Sequence, residues 1–217
     1  MRGSRQARAA AETPSRILDS AERLAQTRGF NGFSYADIAA ELGITKASLH
    51  YHFATKADLG RALIVRYGER FSAALTAMDA QPDARQRLCG YVEVYESLLV
   101  RDRMCLCGMF AAEYSTLPAA MQSQLRRFFD ENESWLARTL ESGRAAGLMR
   151  FEGSGTEAAR ALTAGLEGAM LLARSYEDVA RFAQTARRLL KELVTESAAV
   201  PAARGRSRRV SGERLGP

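Results

Sequence analysis

Apolar residues return every third or fourth position along almost the whole chain, and capping or turn residues stand where that rhythm breaks. Ile17, Ala21, Leu24 and Ala25 form the first stripe. Thr13–Pro14 before it offers a cap followed by proline at a first helical position, and Gly29 stops it. Ile38, Ala39 and Leu42 form the second, opened by Ser34 with Asp37 three residues on and closed by Gly43. Ile44 fills the corner. Thr45 then caps a short segment in which Leu49 and Phe53 share one face. Thr55 with Asp58 is a second capping box, and the helix it starts carries Leu59, Leu63, Tyr67, Phe71 and Leu75 to about Asp79.

Gln81-Pro82-Asp83 is the first clear break after that rod. The next stripe, Leu88, Val92, Tyr95 and Leu99, runs to about Arg101, and a short apolar helix is expected within Met104–Thr116. Pro118 starts a long helix to about Ala146. Its Met121, Leu125, Phe128, Phe129, Trp135, Leu136 and Leu140 cover much of the circumference, which predicts burial on more than one side. Thr156 is expected to cap a helix with Ala161, Gly165, Gly168, Ala169 and Leu172 along one face. A last helix from about Asp178 to Ser197 carries Val179, Phe182, Ala186, Leu189, Leu190 and Leu193. The pattern predicts an all-α protein of about nine helices. It divides into an arm over 1–12, a small helical domain over 13–75, a larger one over 76–199 and a disordered tail over 200–217.

The small domain contains the chemistry that is easiest to read. Two short helices joined by a Gly-containing turn form a helix-turn-helix, whose second helix fits a DNA major groove. With Leu49 and Phe53 facing inward, Lys46, Ala47, Ser48, His50, Tyr51 and His52 are left on the outer arc. That arc has a cation, hydroxyls and imidazoles and no carboxylate, and its small residues allow close approach to base edges. Charge points the same way. Of a net +6, residues 1–66 carry ten Arg/Lys against six Asp/Glu, 67–199 sixteen against eighteen, and 200–217 five against one. A basic head on a slightly acidic body suits phosphate binding. Arg2, Arg5 and Arg8 of the arm are candidates for phosphate or minor-groove contact.

The run from Ile17-Leu18-x-x-Ala21 through Gly29-Phe30, Ser34-x-x-Asp37-Ile38-Ala39 and Leu42-Gly43-Ile44 to Leu49-x-x-x-Phe53-x-x-Lys56-x-x-Leu59 is long and ordered. It resembles the DNA-binding domain of TetR-family (TetR/AcrR-type) transcriptional regulators. The family most often has Tyr where His50 stands, at a position looking toward phosphate. The resemblance implies a DNA face of Ser34, Tyr35, Thr45, Lys46, Ala47, Ser48, His50, Tyr51 and Lys56. Lys46 and Tyr51 would face the groove, with Thr45, His50 and Lys56 on phosphate. Double-stranded operator DNA and a homodimer are the expected partners, the dimer forming through the last two helices at Ala161, Gly165, Gly168, Leu172, Phe182 and Leu189.

A small-molecule effector is expected in the larger domain, near Tyr67, Phe71, Tyr95, Cys105, Cys107, Phe110, Trp135, Glu167 and Met170. The Glu113/Tyr114 pair and Glu167 read either as pocket polar groups or as satisfied core residues. Three cysteines at uneven spacing give neither a disulfide framework nor a zinc ligand set, so no metal and no cofactor is expected. Cys105 and Cys107 read as small hydrophobes beside Leu106, Met109 and Phe110, or as reactive thiols if Arg103 or a helix N-terminus lowers a pKa. The second reading would make the protein an electrophile- or redox-sensing repressor.

Enzyme signatures are absent: there is no P-loop, dinucleotide fingerprint or nucleophile with an identifiable base. A helical ligand-binding protein or enzyme without DNA function is the rival from another class. No apolar run approaches the roughly 20 residues of a membrane span, and the N-terminus lacks an apolar signal core, so a cytoplasmic location is expected. Function is expected to be that of a ligand-responsive repressor on a palindromic operator.

Overall fold

The computed structural model describes residues 2–195, with side chains from residue 13 onward. Among these residues the chain is built of nine α-helices: α1 Arg2–Arg28, α2 Tyr35–Leu42, α3 Lys46–His52, α4 Lys56–Met78, α5 Ala84–Leu99, α6 Leu106–Ala112, α7 Ala119–Ala145, α8 Gly155–Ser175 and α9 Val179–Leu193. A single 3-10 turn, Tyr114–Thr116, follows α6. The tail expected over 200–217 lies outside the described residues.

Three helix boundaries differ from the sequence reading. α1 begins at Arg2 and continues through Pro14, so Thr13–Pro14 is an interior position. Proline there removes one backbone donor, but the alanines before it are strong helix formers. The arm expected over 1–12 is therefore helical backbone from Arg2. The eighth helix is capped by Ser154 rather than Thr156, because Glu157 reaches back to accept from the Ser154 N–H and hydroxyl, each at 2.8 Å. α9 ends at Leu193, where Arg150 and Thr195 pair the α7–α8 turn with the chain after the helix.

α1, α2 and α3 close over the first turns of α4, burying Ile17, Leu24, Ile38, Leu49, Leu59 and Leu63 almost completely. α4 then leaves this head and packs its second half on α7 and α5. Twenty-three residues long, it spans about 35 Å at the usual helical rise. It joins the two domains as one rigid element. Glu22 of α1 is buried and answers Arg66 at 2.9 Å and Arg70, fixing α1 along that rod. The larger domain is layered as α4 and α5 on α7, α7 on α8 and α8 on α9. Leu136, Leu140, Leu162, Leu166 and Phe182 lie at its centre.

Candidate functional site

The turn between α2 and α3 is set by Gly43, which sits at φ +65° with open space around it. Its N–H and that of Ile44 both return to the Ala39 carbonyl. Thr45 Oγ1 accepts from the Ser48 N–H at 3.2 Å and starts α3. Leu49, fully buried, fixes the rotation of α3 about its axis. Lys46, Ala47, His50 and Tyr51 are consequently exposed and Ser48 half-buried. Tyr51 stands 85% exposed with only His52 against its ring.

Two residues expected on this face are committed inward. Tyr35 is buried, and its hydroxyl lies 2.8 Å from the Phe53 carbonyl and 2.7 Å from that of Thr55. Burial first, and then the Asp58 charge, push its pKa up to about 12. Tyr35 is thus a brace between α2 and the α3–α4 turn. Lys56 donates to the Phe33 carbonyl and lies over the rings of Phe30 and Phe33, 4.7 and 4.5 Å from their centroids. That half-buried seat lowers its pKa, chiefly through loss of water, while the side chain still lines the recess it shares with Lys46 and His50.

His50 bonds the Ala54 carbonyl through Nδ1 at 3.1 Å, so Nδ1 carries a proton and Nε2 is the free nitrogen. Ser34 spends its hydroxyl proton on Asp37, at 2.6 Å. A shallow recess of about 330 Å³ between the start of α2 and α3 is lined by Ser34, Ala36, Lys46 and His50 among others.

In the larger domain the nine expected pocket residues do not share one cavity. Phe71 and Trp135 line a pocket of about 380 Å³ between α4 and α7, together with Phe128 and Asn132. Trp135 is held by a hydrogen bond from Nε1 to Asp79 at 3.0 Å. Tyr67, Tyr95, Cys105, Cys107, Phe110 and Met170 belong instead to closed core. Tyr67 meets Cys105 Sγ at 3.7 Å, the Cys105 N–H meets Met170 Sδ at 3.3 Å, and the Tyr91 and Tyr95 hydroxyls lie 3.2 Å apart. Glu167 sits against Gly108 so closely that a Cβ there would come within 2.2 Å of its carboxylate. Burial raises Glu167 to about 7.

Both thiols are raised well above the ordinary cysteine value, Cys105 by burial and then Glu167, and Cys107 by burial and then Cys105. Cys105 does cap α6, receiving the Gly108 N–H at 3.4 Å, but that bond does not offset the loss of water. The packing role is the one this environment supports.

The interface candidates also separate. Ala161 and Leu172 are exposed, with Leu171 and Tyr176 beside Leu172, and Gly168 opens on empty space. Gly165 faces Leu189 of α9 in the same chain, where a Cβ would lie 2.9 Å from a leucine methyl. Phe182 is fully buried within the protomer. Gly165, Leu189 and Phe182 therefore serve the α8–α9 contact, because α9 turns its apolar stripe onto its own chain.

Two residues are not singled out as site residues in the sequence, and a third, Glu113, is weighed there as a pocket polar group without its partner. Tyr91 follows the same face as Tyr95 four residues on, a spacing that was available. Asn132 lies between Phe128 and Trp135 on the inner face of α7 and was hidden by its aromatic neighbours. Glu113 accepts from the backbone N–H of Phe30 at 2.6 Å and of Asn31 at 3.2 Å, pinning the larger domain to the head.

Residues 17–63 match the family model "Bacterial regulatory proteins, tetR family", and residues 84–189 match "Tetracyclin repressor-like, C-terminal domain". A TetR-family transcriptional regulator from Agrobacterium tumefaciens has a crystal structure 31% identical in sequence, with TM-score 0.83, covering 86% of this chain and 100% of that one. The chain belongs to the TetR family. A TetR regulator from Legionella pneumophila is 32% identical over 82% of this chain and 95% of its own, with TM-score 0.75. The repressor DhaR of Mycobacterium sp. (strain GP1) is 26% identical over 74% of this chain and 83% of its own.

As a TetR-family protein, the chain is a DNA-binding, ligand-responsive transcriptional regulator. Among the described residues, no helix is long and apolar enough to cross a membrane.

Proposed function

We propose that two copies of this chain act as a repressor, holding a palindromic operator with paired α3 helices until a small molecule enters the α4–α7 pocket. The observation that carries this reading is Tyr51. A tyrosine 85% exposed on a seven-residue helix contributes almost nothing to the core, yet it stands beside Lys46 and Ala47 on a face without carboxylates. It is placed to meet base edges. The recess beside Lys46, at the start of α2, suits a phosphate oxygen. A phosphate contact from His50 Nε2 requires the doubly protonated ring, since Nδ1–H is already used.

Leu171 and Leu172 on α8, with Tyr176 just after it, supply an exposed apolar face for a second copy. Pairing there would set the two α3 helices in successive major grooves, roughly 34–36 Å apart. Release requires only that ligand favour the conformer with the wrong head spacing, by on the order of 1–3 kcal/mol. DhaR, a named repressor, supports this direction of control.

Footprinting on DNA flanking the gene tests the reading. A symmetric protected site bound by a dimer is expected. Monomeric binding, or equal retention on unrelated DNA, would overturn it.

A further inference from the structure

Asn132 is the buried polar side chain of α7 that has least reason to be there. It is 1% exposed, and neither its amide nitrogen nor its amide oxygen has a hydrogen-bond partner. Buried carboxamides are nearly always paired, so both atoms call for a partner from outside the chain. Asn132 also lines the pocket of about 380 Å³ between α4 and α7.

The walls around it are aromatic and held in place. Phe128 lies one turn before Asn132 and Trp135 one turn after, on the same side of α7. Phe71 of α4 meets Phe128 edge-on, centroids 5.3 Å apart. Trp135 stacks on Tyr91 at 5.9 Å and 17° while bonded to Asp79. Such walls are pre-set for a flat ring, and because the amide atoms of Asn132 are closed to water, a ligand reaches them by parting α4 from α7 slightly. The rim adds a charge preference: with Glu131 paired to Arg127 at 2.7 Å, Asp79 and Asp130 stand against Arg138, which disfavours an anion.

We infer that this pocket takes a neutral aromatic ligand carrying a carboxamide or lactam edge, paired with Asn132. The inference rests on the pocket's role as the effector site and names the chemistry of what fills it. The carbonyl of such an edge accepts from Asn132 Nδ2, and its N–H donates to Asn132 Oδ1. A carboxylate offers acceptors only and meets the acidic rim. An ammonium offers donors only and leaves Nδ2 unanswered. An unfunctionalised ring leaves both atoms unpaired.

Trp135 is the sole tryptophan of the sequence, so intrinsic fluorescence reports on this pocket. The full-length protein would be titrated with benzamide, benzoate, benzylammonium and toluene. Saturable change with benzamide, about tenfold tighter than with the other three, is the expected result. Asn132→Leu should erase that preference while leaving the toluene response intact, and the ligand series on the unmodified protein decides the matter if the variant does not fold. Equal or tighter binding of benzoate, benzylammonium or toluene would overturn the inference. So would absence of any saturable change, or a preference that survives in Asn132→Leu, as it would if Asn132 merely holds water. Operator binding by the ligand-free protein, measured in parallel, separates the two readings. Loss of operator binding counts against the repressor, whereas operator binding without benzamide preference counts against this ligand class alone.

Discussion

The carboxyl of Glu167 shares its space with the backbone of Gly108, and one of its oxygens is buried with no partner. Burial stabilises its protonated form, raising it from the ordinary 4.5 to about 7. The folded chain therefore holds a proton that the unfolded chain has released. Stability from this site is complete below about 4.5 and is lost as pH rises through about 7. Glu167→Gln removes the dependence. Relative to the wild type, the variant should gain on the order of 2 kcal/mol between pH 4.5 and pH 8, after allowance for partial exposure. Urea melts at the two pH values measure it, and parallel curves for the two proteins would refute this environment for Glu167. Residue type and period identified which side chains face inward, Tyr67, Phe71 and Trp135 included. They did not reveal how a long side chain bends. Lys56 was legible as a cation at a helix start, but its turn toward Phe30 and Phe33 depends on a loop placed by other helices.

At the scale of elements, the caps were the most readable feature. Ser34/Asp37 and Thr55/Asp58 start their helices where the sequence put them, because a capping box is complete within four residues. Starts that depend on competition between adjacent caps were not readable: Ser154 prevails over Thr156 only because Glu157 is in reach. Contacts between distant elements left no local trace at all. Glu113 follows α6 yet satisfies two N–H groups more than eighty residues earlier. The Arg174 guanidinium adds a bond to the Thr27 carbonyl at 2.9 Å, and the Met104 N–H one to that of Gln26 at 3.2 Å. Head and effector domain thus meet at the end of α1 and the turn after it, besides sharing α4. Glu113→Ala leaves the Phe30 and Asn31 donors unmatched and should cost about 1–3 kcal/mol in denaturant unfolding. Glu113→Gln keeps an acceptor and should cost less. Equal losses for the two variants would show that the carboxylate, not the acceptor geometry, holds the junction.

Across the whole molecule, charge and shape divide the labour. The head is basic and presents a short helix with an unburied arc, while the body is slightly acidic, layered and closed apart from its grooves. α4 runs through both, so in the proposed mechanism a ligand that separates α4 from α7 acts on the head through it. The outer arc of α3 was legible because local spacing defines which of its side chains are buried. The pocket was legible only in Phe71 and Trp135, since its floor is built by α4 and α7 approaching over more than fifty residues of chain. The central claim is that the outer arc of α3 contacts DNA, and the dependence of binding on salt tests it most directly. Operator affinity of the wild type should fall steeply with salt, and Lys46→Ala should weaken binding and reduce the logarithmic slope by about one. A Lys46→Ala protein that folds normally and keeps both the affinity and the slope of the wild type would contradict the account.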